Sequence, residues 1–379
     1  MSDSSLGHIL VVTEYVIESQ NSTGYFWSKI INKLQDSGRN VFVITSRSTD
    51  VFKKDSVVKK GIIGKVFEKL KISFDLSYMT LKKVNKNSII FTGTNPFLFL
   101  CFIPIFKIFK KFKWYLLVHD VFPNNLLAAK IVGEWNVFYK ILNFYFNWVY
   151  SSADRLICIG RDMKNVIDKK TNDEAKSFIV PAWVNENEVF PLKKDFSNLN
   201  VDNQILFQFF GNLGRVQGVP NLLKAIELVS VQNAAFVFIG DGAMLSDVEE
   251  FIKANPRKNV KYLGSLPQKD KNYGLSLCDV ALVSLEPGML GLGVPSKTYF
   301  SLAAGKPILA AVDAASEVGL MIEESPIGWR CDPGDPKQLA SLIDRVCSNS
   351  NEILKMRPRE VFLEKYTEKI ILKKIEELF

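Results

Sequence analysis

Residues 8–13 read HILVVT, a short run of mostly β-branched apolar residues that predicts a buried strand. A loop carrying Glu18 and Gly24 follows, and residues 25–37 then show helical periodicity that stops at Gly38. VFVITS (41–46) is the next expected strand, with further strands at 88–92, 114–118 and 155–159. Short apolar runs alternating with longer helical stretches make βαβ units, which imply a parallel sheet with helices on both faces.

The same grammar restarts in the second half. QILFQFF (204–210) leads into a glycine loop at 211–218 and a helix over 219–230. AFVFIG (235–240), a helix over 244–254, VKYLG (260–264) and VALVSLE (280–286) follow. A second glycine-rich loop at 288–293 precedes a helix near 297–304, the strand PILAAV (307–312) and a helix over 336–348. The fold class is α/β, with two Rossmann-like doubly wound domains over 1–180 and 181–364 joined near 179–191. A last helix at about 365–379 is expected to pack back on the first domain. Such sheets bind ligands outside the carboxyl ends of their strands, so two facing domains place a cleft there.

Composition narrows the class. With 47% hydrophobic and 23% charged residues in 379, the chain is neither disordered nor fibrous. Its five cysteines are scattered with no CxxC, which excludes a disulfide framework or zinc knuckle and fits a reducing compartment. The polar first seven residues and the short apolar run after them give no secretory signal.

Charge changes the picture more. Residues 51–113 hold 14 basic and 3 acidic residues, more than the whole chain's net +8. The same window is greasy, with FLFLCFIPIF (97–106) running into KIFKKFKW. Ten residues cannot cross a bilayer, which needs roughly 20. An anionic membrane surface is the expected partner, with Lys107, Lys110, Lys111 and Lys113 on lipid phosphates and Trp114 among the wedges. Residues 65–83 mix basic and aromatic residues in the same way. A packed helix ending in a lysine cluster is the alternative for 97–113. No nucleic acid partner is expected, because no recognition helix, finger spacing or RNP-like motif occurs.

Two loops carry candidate chemistry. GNLGRVQGVPNLLKAI (211–226) is a strand, a glycine turn and a helix, an arrangement that lets backbone N–H groups approach a phosphate. In PGMLGLGVPSKTYF (287–300), Gly288, Gly291 and Gly293 precede Pro295, Ser296, Lys297 and Thr298, so hydroxyls, an ammonium and N–H groups converge. That suits a diphosphate. The AAGKP turn at 303–307 is expected to serve packing.

These segments, with GDG (240–242) and YLGSLP (262–267), resemble the donor domain of a family-4 glycosyltransferase of the GT-B fold. The branch most resembled contains bacterial O-antigen and capsule transferases, including N-acetyl-L-fucosamine transferases. In the first half, Tyr15 to Glu18 with Gly24, VHDVFPNN (118–125) and SADRLICIG (152–160) are similar to family motifs, as is the linker IVPAWVNENEVFP (179–191). The resemblance implies a retaining transfer from a UDP-sugar, without cofactor or metal. The acceptor it implies is a lipid-linked (undecaprenyl diphosphate) glycan, and the place the cytoplasmic face of the plasma membrane. Independently, no Asp-x-Asp occurs and the chain has only two histidines.

The resemblance also implies roles. His119, at a strand's carboxyl edge, is the candidate to orient a donor hydroxyl or move a proton. Asp120 is expected to fix its tautomer or meet the acceptor, while Glu18 and Gly24 are expected at the acceptor. Gly211, Asn212, Arg215, Gln217, Gly240, Leu263, Leu266, Glu286, Gly293, Val294, Pro295, Ser296, Lys297 and Thr298 are expected to bind the donor. Lys297 and Arg215 are the cations on the leaving diphosphate. Asn212 and Gln217 replace the Arg and Lys of many members. Leu290 and Phe300 stand where the family carries two Glu, leaving Glu286 as the nearest carboxylate. Losing the pair removes the usual ribose contact and points to a donor sugar with fewer hydroxyls. The alternatives are a non-hydrolysing UDP-sugar 2-epimerase of the same fold, or a membrane-binding protein whose transferase site has decayed.

Overall fold

In a computed structural model that describes residues 8–16, 22–45, 62–193, 201 and 204–379, the chain forms two parallel six-stranded sheets. Glu18 lies outside the described residues. The first sheet contains β1 (Ile9–Val12), β2 (Val41–Ile44), β3 (Ile89–Gly93), β4 (Lys113–Val118), β5 (Arg155–Cys158) and β6 (Ser177–Ile179). Its order is β2-β1-β3-β4-β5-β6. The second contains β7 (Ile205–Phe210), β8 (Ala234–Ile239), β9 (Val260–Tyr262), β10 (Val280–Ser284), β11 (Ile308–Ala311) and β12 (Gly328–Cys331), ordered β12-β11-β10-β7-β8-β9.

Helices cover both faces of each sheet, which is why β1, β8 and β10 are buried along their whole length instead of alternating. The one polar residue in β7, Gln208, is buried but satisfied, since its amide donates to the Gly274 carbonyl at 2.7 Å. Strand order reverses between β1 and β3 and between β10 and β7. The loops leaving these switch points build the two walls of the cleft.

Beyond β6 the chain crosses to the second domain, and it returns at its end. Val184 forms a bridge with Thr367, and the helix Glu368–Glu376 packs against the helix Ser22–Asp36 of the first domain. A Lys33–Glu376 ion pair of 2.7 Å joins them, and the Phe379 ring sits 5.0 Å from those of Phe91 and Tyr115.

Two expectations for the basic window are corrected. Trp114 is fully buried in β4 and its Nε1 donates to Thr92 Oγ1 at 3.0 Å, so it is a core residue and no membrane wedge. Lys107 donates to the Ser152 carbonyl at 2.7 Å and to Asp154 Oδ2 at 2.6 Å. Because Asp154 Oδ2 also accepts from the Trp114 amide, this lysine closes a structural network and does not present a free charge. The greasy run breaks into the helices Phe97–Leu100 and Ile103–Lys110, whose Phe99, Leu100 and Ile103 are buried. Lys110, Lys111 and Lys113 are exposed.

One glycine sets the floor of the second wall. Gly240 follows β8 at φ +134°, and a Cβ there would stand 1.9 Å from the Gly211 carbonyl oxygen. Gly240→Ala should therefore lower stability by about 2 kcal/mol through strain and overpacking. Urea unfolding of the variant checks this, and an unchanged midpoint would mean that the two loops are free to part.

Candidate active site

The first wall is a hollow of about 220 Å³ lined by Trp27, Gly93, Thr94, Asn95, His119, Asp120 and Asn125, among others. Thr94 Oγ1 accepts from the amides of His119 (3.2 Å) and Asp120 (3.3 Å), tying the loop after β3 to the loop after β4. Neither ring nitrogen of His119 has a hydrogen-bond partner among the described residues. Burial holds its pKa down at about 4, so the ring is neutral near pH 7 and offers one donor and one acceptor. Asp120 still meets the water of the cleft, but protein crowding from both walls pushes its pKa up. No hydrogen bond joins Asp120 to His119, so it does not fix the ring's tautomer. Trp27 Nε1 and Asn125 Oδ1 are buried without a partner on this wall.

The second wall is a cavity of about 340 Å³ lined by Gly211, Asn212, Gln217, Lys271, Val294, Pro295, Ser296, Lys297 and Phe300, with Phe210 and Leu275. The stem of Lys297 shows to the cleft, but its ammonium is covered and has no partner. It lies 3.5 Å from the Phe209 ring centroid, and burial lowers its pKa to about 7. A buried ammonium without a counter-charge is costly, and an anion in this cavity would relieve that cost. Gln217 Oε1 and Thr298 Oγ1 are also buried without partners. The N–H groups of the first turn contribute less than expected. Those of Thr298 and Tyr299 already donate to Pro295 and Ser296 at 3.1 and 3.0 Å.

Phe300 closes the cavity as an aromatic wall, with Lys271 Nζ 3.4 Å above its ring. Leu290 is exposed. Glu286 faces across the cleft to Lys130 at 3.9 Å and does not line the cavity. Arg215 is exposed outside the lining, and so is Leu263, while Leu266 is partly buried against Phe210. Gly240 supports Gly211 from behind. Gly24 lies buried in the helix Ser22–Asp36 and lines neither hollow.

The walls are held together in part by Arg161, Asp162 and Glu317, which sequence reasoning passed over. Asp120 bridges Gly293, and the Val121 amide donates to the Leu292 carbonyl at 3.0 Å. Asp162 Oδ2 accepts from the Gly291 amide at 3.0 Å. Arg161 donates through its amide and Nε to the buried Glu317 at 2.8 and 2.9 Å. The loop at 288–293 is thereby docked on the first domain, which sets the His119 hollow beside the Lys297 cavity. The available signal was position: Arg161 and Asp162 open the helix that follows β5, at a carboxyl edge.

A family model described as "Glycosyl transferases group 1" matches residues 192–360. A Pseudomonas aeruginosa protein described as "Probable glycosyltransferase WbjE" is 41% identical over 386 residues, covering 97% of this chain and 96% of its own. The "Putative colanic acid biosynthesis glycosyl transferase WcaI" of Escherichia coli K12 is 22% identical over 183 residues, 46% of this chain and 44% of its own. Among solved structures, Anabaena Alr3699/HepE in complex with UDP-glucose matches at TM-score 0.70 and 14% identity, over 98% of both chains. At that identity the likeness speaks for the fold, the GT-B pairing of two Rossmann-like domains.

Proposed function

The chain belongs to the group 1 glycosyl transferases, and from that premise we propose that it moves a sugar from a UDP-sugar to a lipid-linked (undecaprenyl diphosphate) glycan, with retention at the anomeric carbon. The setting proposed is bacterial O-antigen or capsule synthesis at the cytoplasmic face of the plasma membrane. The name of the colanic acid relative supports a polysaccharide setting. Among the described residues, no helix is long and apolar enough to cross a membrane.

One observation carries the reading: the buried Lys297 ammonium, without a hydrogen-bond partner, in a cavity lined by the glycine loop after β7 and by the turn Val294 to Lys297. In the transfer, the bond from the anomeric carbon to the diphosphate oxygen breaks. The acceptor oxygen bonds that carbon on the same face, and its proton passes to the leaving diphosphate, directly or by way of His119. Charge grows on that diphosphate in the transition state, where a fixed cation in a dry site stabilises it most. Lys297 supplies this charge from this chain's own residues. No group of three His, Cys, Asp or Glu side chains stands where it could hold a metal among the described residues.

N-acetyl-L-fucosamine is the donor sugar proposed first. Its support is Leu290 at the position of the family's first Glu, which leaves fewer acceptors for sugar hydroxyls.

Calorimetry with UDP and a panel of UDP-sugars, followed by a hydrolysis and transfer assay, tests the reading. The expected result is UDP binding, slow donor hydrolysis and transfer to a lipid-linked acceptor. Donor interconversion in place of hydrolysis would establish the epimerase, and binding of no uridine nucleotide would overturn both.

A further inference from the structure

We propose that the face built by Ile131, Trp135 and the outward stripe of the helix Val137–Ser152 is where the chain inserts into an anionic lipid surface. On that helix Val137, Ile141, Phe144 and Trp148 follow at helical spacing and expose 71%, 62%, 79% and 39% of their surface. The opposite face buries Tyr139, Phe146, Val149 and Tyr150 against the domain. The helix thus carries apolar side chains on two sides, divided along one flank by Lys140, Asn143 and Asn147, and one of those apolar sides is bare, where a surface helix facing water carries polar residues. Ile131 (64%) and Trp135 (85%) extend the bare face into the preceding loop. The helix Ile103–Lys110 packs beside it and exposes Ile108 and Phe109. Single exposed apolar residues are ordinary, but a contiguous aromatic face marks a contact surface.

Charge selects the occupant. Lys110, Lys111, Lys113 and Lys140 are exposed around this face, and Glu134 is the only acid between residues 121 and 153. Lys140 Nζ sits 5.0 Å over the Trp135 ring, so cation and aromatic lie at one level. Anionic headgroups complement that pattern, with lysines at the phosphates and aromatics below them. A second copy would bring two basic faces together and repel. The face also adjoins the His119 hollow, since the Ile131 amide donates to the Leu126 carbonyl at 2.9 Å, next to Asn125, which lines the hollow. A lipid-borne acceptor would reach the hollow from there, so the inference rests on the acceptor reading above.

The tryptophans make the test direct. Trp27, Trp114, Trp183 and Trp329 are buried, and the two exposed ones of the six, Trp135 and Trp148, are both on this face. The whole chain should pellet with vesicles of phosphatidylethanolamine and phosphatidylglycerol, with a fraction resisting high salt. Bromine-labelled acyl chains in those vesicles should quench its emission, and phosphatidylcholine alone should retain roughly 10-fold less protein. Ile141→Ser with Phe144→Ser should cut the salt-resistant fraction roughly 10-fold or more, with unchanged circular dichroism because both side chains are exposed. Trp135→Phe with Trp148→Phe should abolish quenching while pelleting persists.

Absent quenching, or a serine double variant that binds as the wild type does, would overturn the proposal. So would a dimer in sedimentation that the serine variant abolishes, because the face would then belong to a second copy. Sugar transfer to a soluble acceptor analogue without vesicle binding would sink this face and leave the transferase intact. Insertion with no transfer from any donor would uphold the face and remove the acceptor reading.

Discussion

Lys297→Ala should slow turnover by roughly 100-fold or more, the scale for removing a fixed group that stabilises transition-state charge. The fold should not suffer. The ammonium has no hydrogen bond or ion pair to lose, and deleting a buried charge without a counter-ion removes a cost that offsets the lost contact with the Phe209 ring. Stability equal to or above the wild type with activity nearly gone would mark a group kept for its ligand. Proton uptake separates this from a packing role. Before donor binds, burial holds the Lys297 pKa at about 7, so much of the lysine is neutral at pH 8. A diphosphate beside it favours the charged form and raises that pKa, so binding at pH 8 must take up protons. UDP affinity should then weaken as pH rises above about 7, by up to tenfold per unit until the complex's own pKa is passed. Calorimetry in two buffers of different ionisation enthalpy reads the uptake. Lys297→Ala should abolish it, and uptake that survives the substitution would move the proton, and the diphosphate contact, to another group.

Much of this architecture was legible because its strands are buried on both faces and so read as plain apolar runs. HILVVT and VALVSLE needed no context to be recognised. β6 and β12 did not stand out, since SFI and GWRC are edge strands of three and four residues whose pairing comes from their neighbours' register. The apolar run at 97–106 misled for the opposite reason. Its composition suits a membrane, but helix geometry turns Phe99, Leu100 and Ile103 into the core. Burial of Trp114 and pairing of Lys107 with Asp154 depend on residues tens of positions away, which no local window contains. The helix Val137–Ser152 shows the limit most plainly. A helix that is apolar on two sides reads as core, and only the packed molecule tells which side has nothing against it. At the site, Lys297, Asn212 and Gln217 were found from loop grammar. Arg215 was chosen for its charge alone, and it stands exposed outside the cavity. Lys271 arrives from another element to lie over Phe300, a contact that no spacing along the chain reveals.

His119→Ala should lower turnover by roughly 100-fold while leaving UDP affinity nearly intact. The cavity that would take the nucleotide is lined from residues 210–300, whereas His119 sits on the facing wall. Its ring is neutral near pH 7, held so by burial, and cannot act as a standing cation on the diphosphate. Two roles remain, and their sizes differ. A hydrogen bond to a sugar hydroxyl contributes about 0.5–1.5 kcal/mol, which is roughly tenfold at most. Proton transfer in the transition state contributes roughly 100-fold or more. His119→Asn separates them, because an amide keeps a donor and an acceptor but cannot carry the proton. Recovery of most activity in the asparagine variant would assign His119 to orienting the sugar, and equal losses in both would assign it to the proton. Protonation below the folded pKa of about 4 would remove the ring's acceptor nitrogen, so turnover should not vary with this group between pH 5 and 8. A fall in UDP affinity as large as the fall in turnover would place the ring at the nucleotide and end its assignment to the reacting sugar.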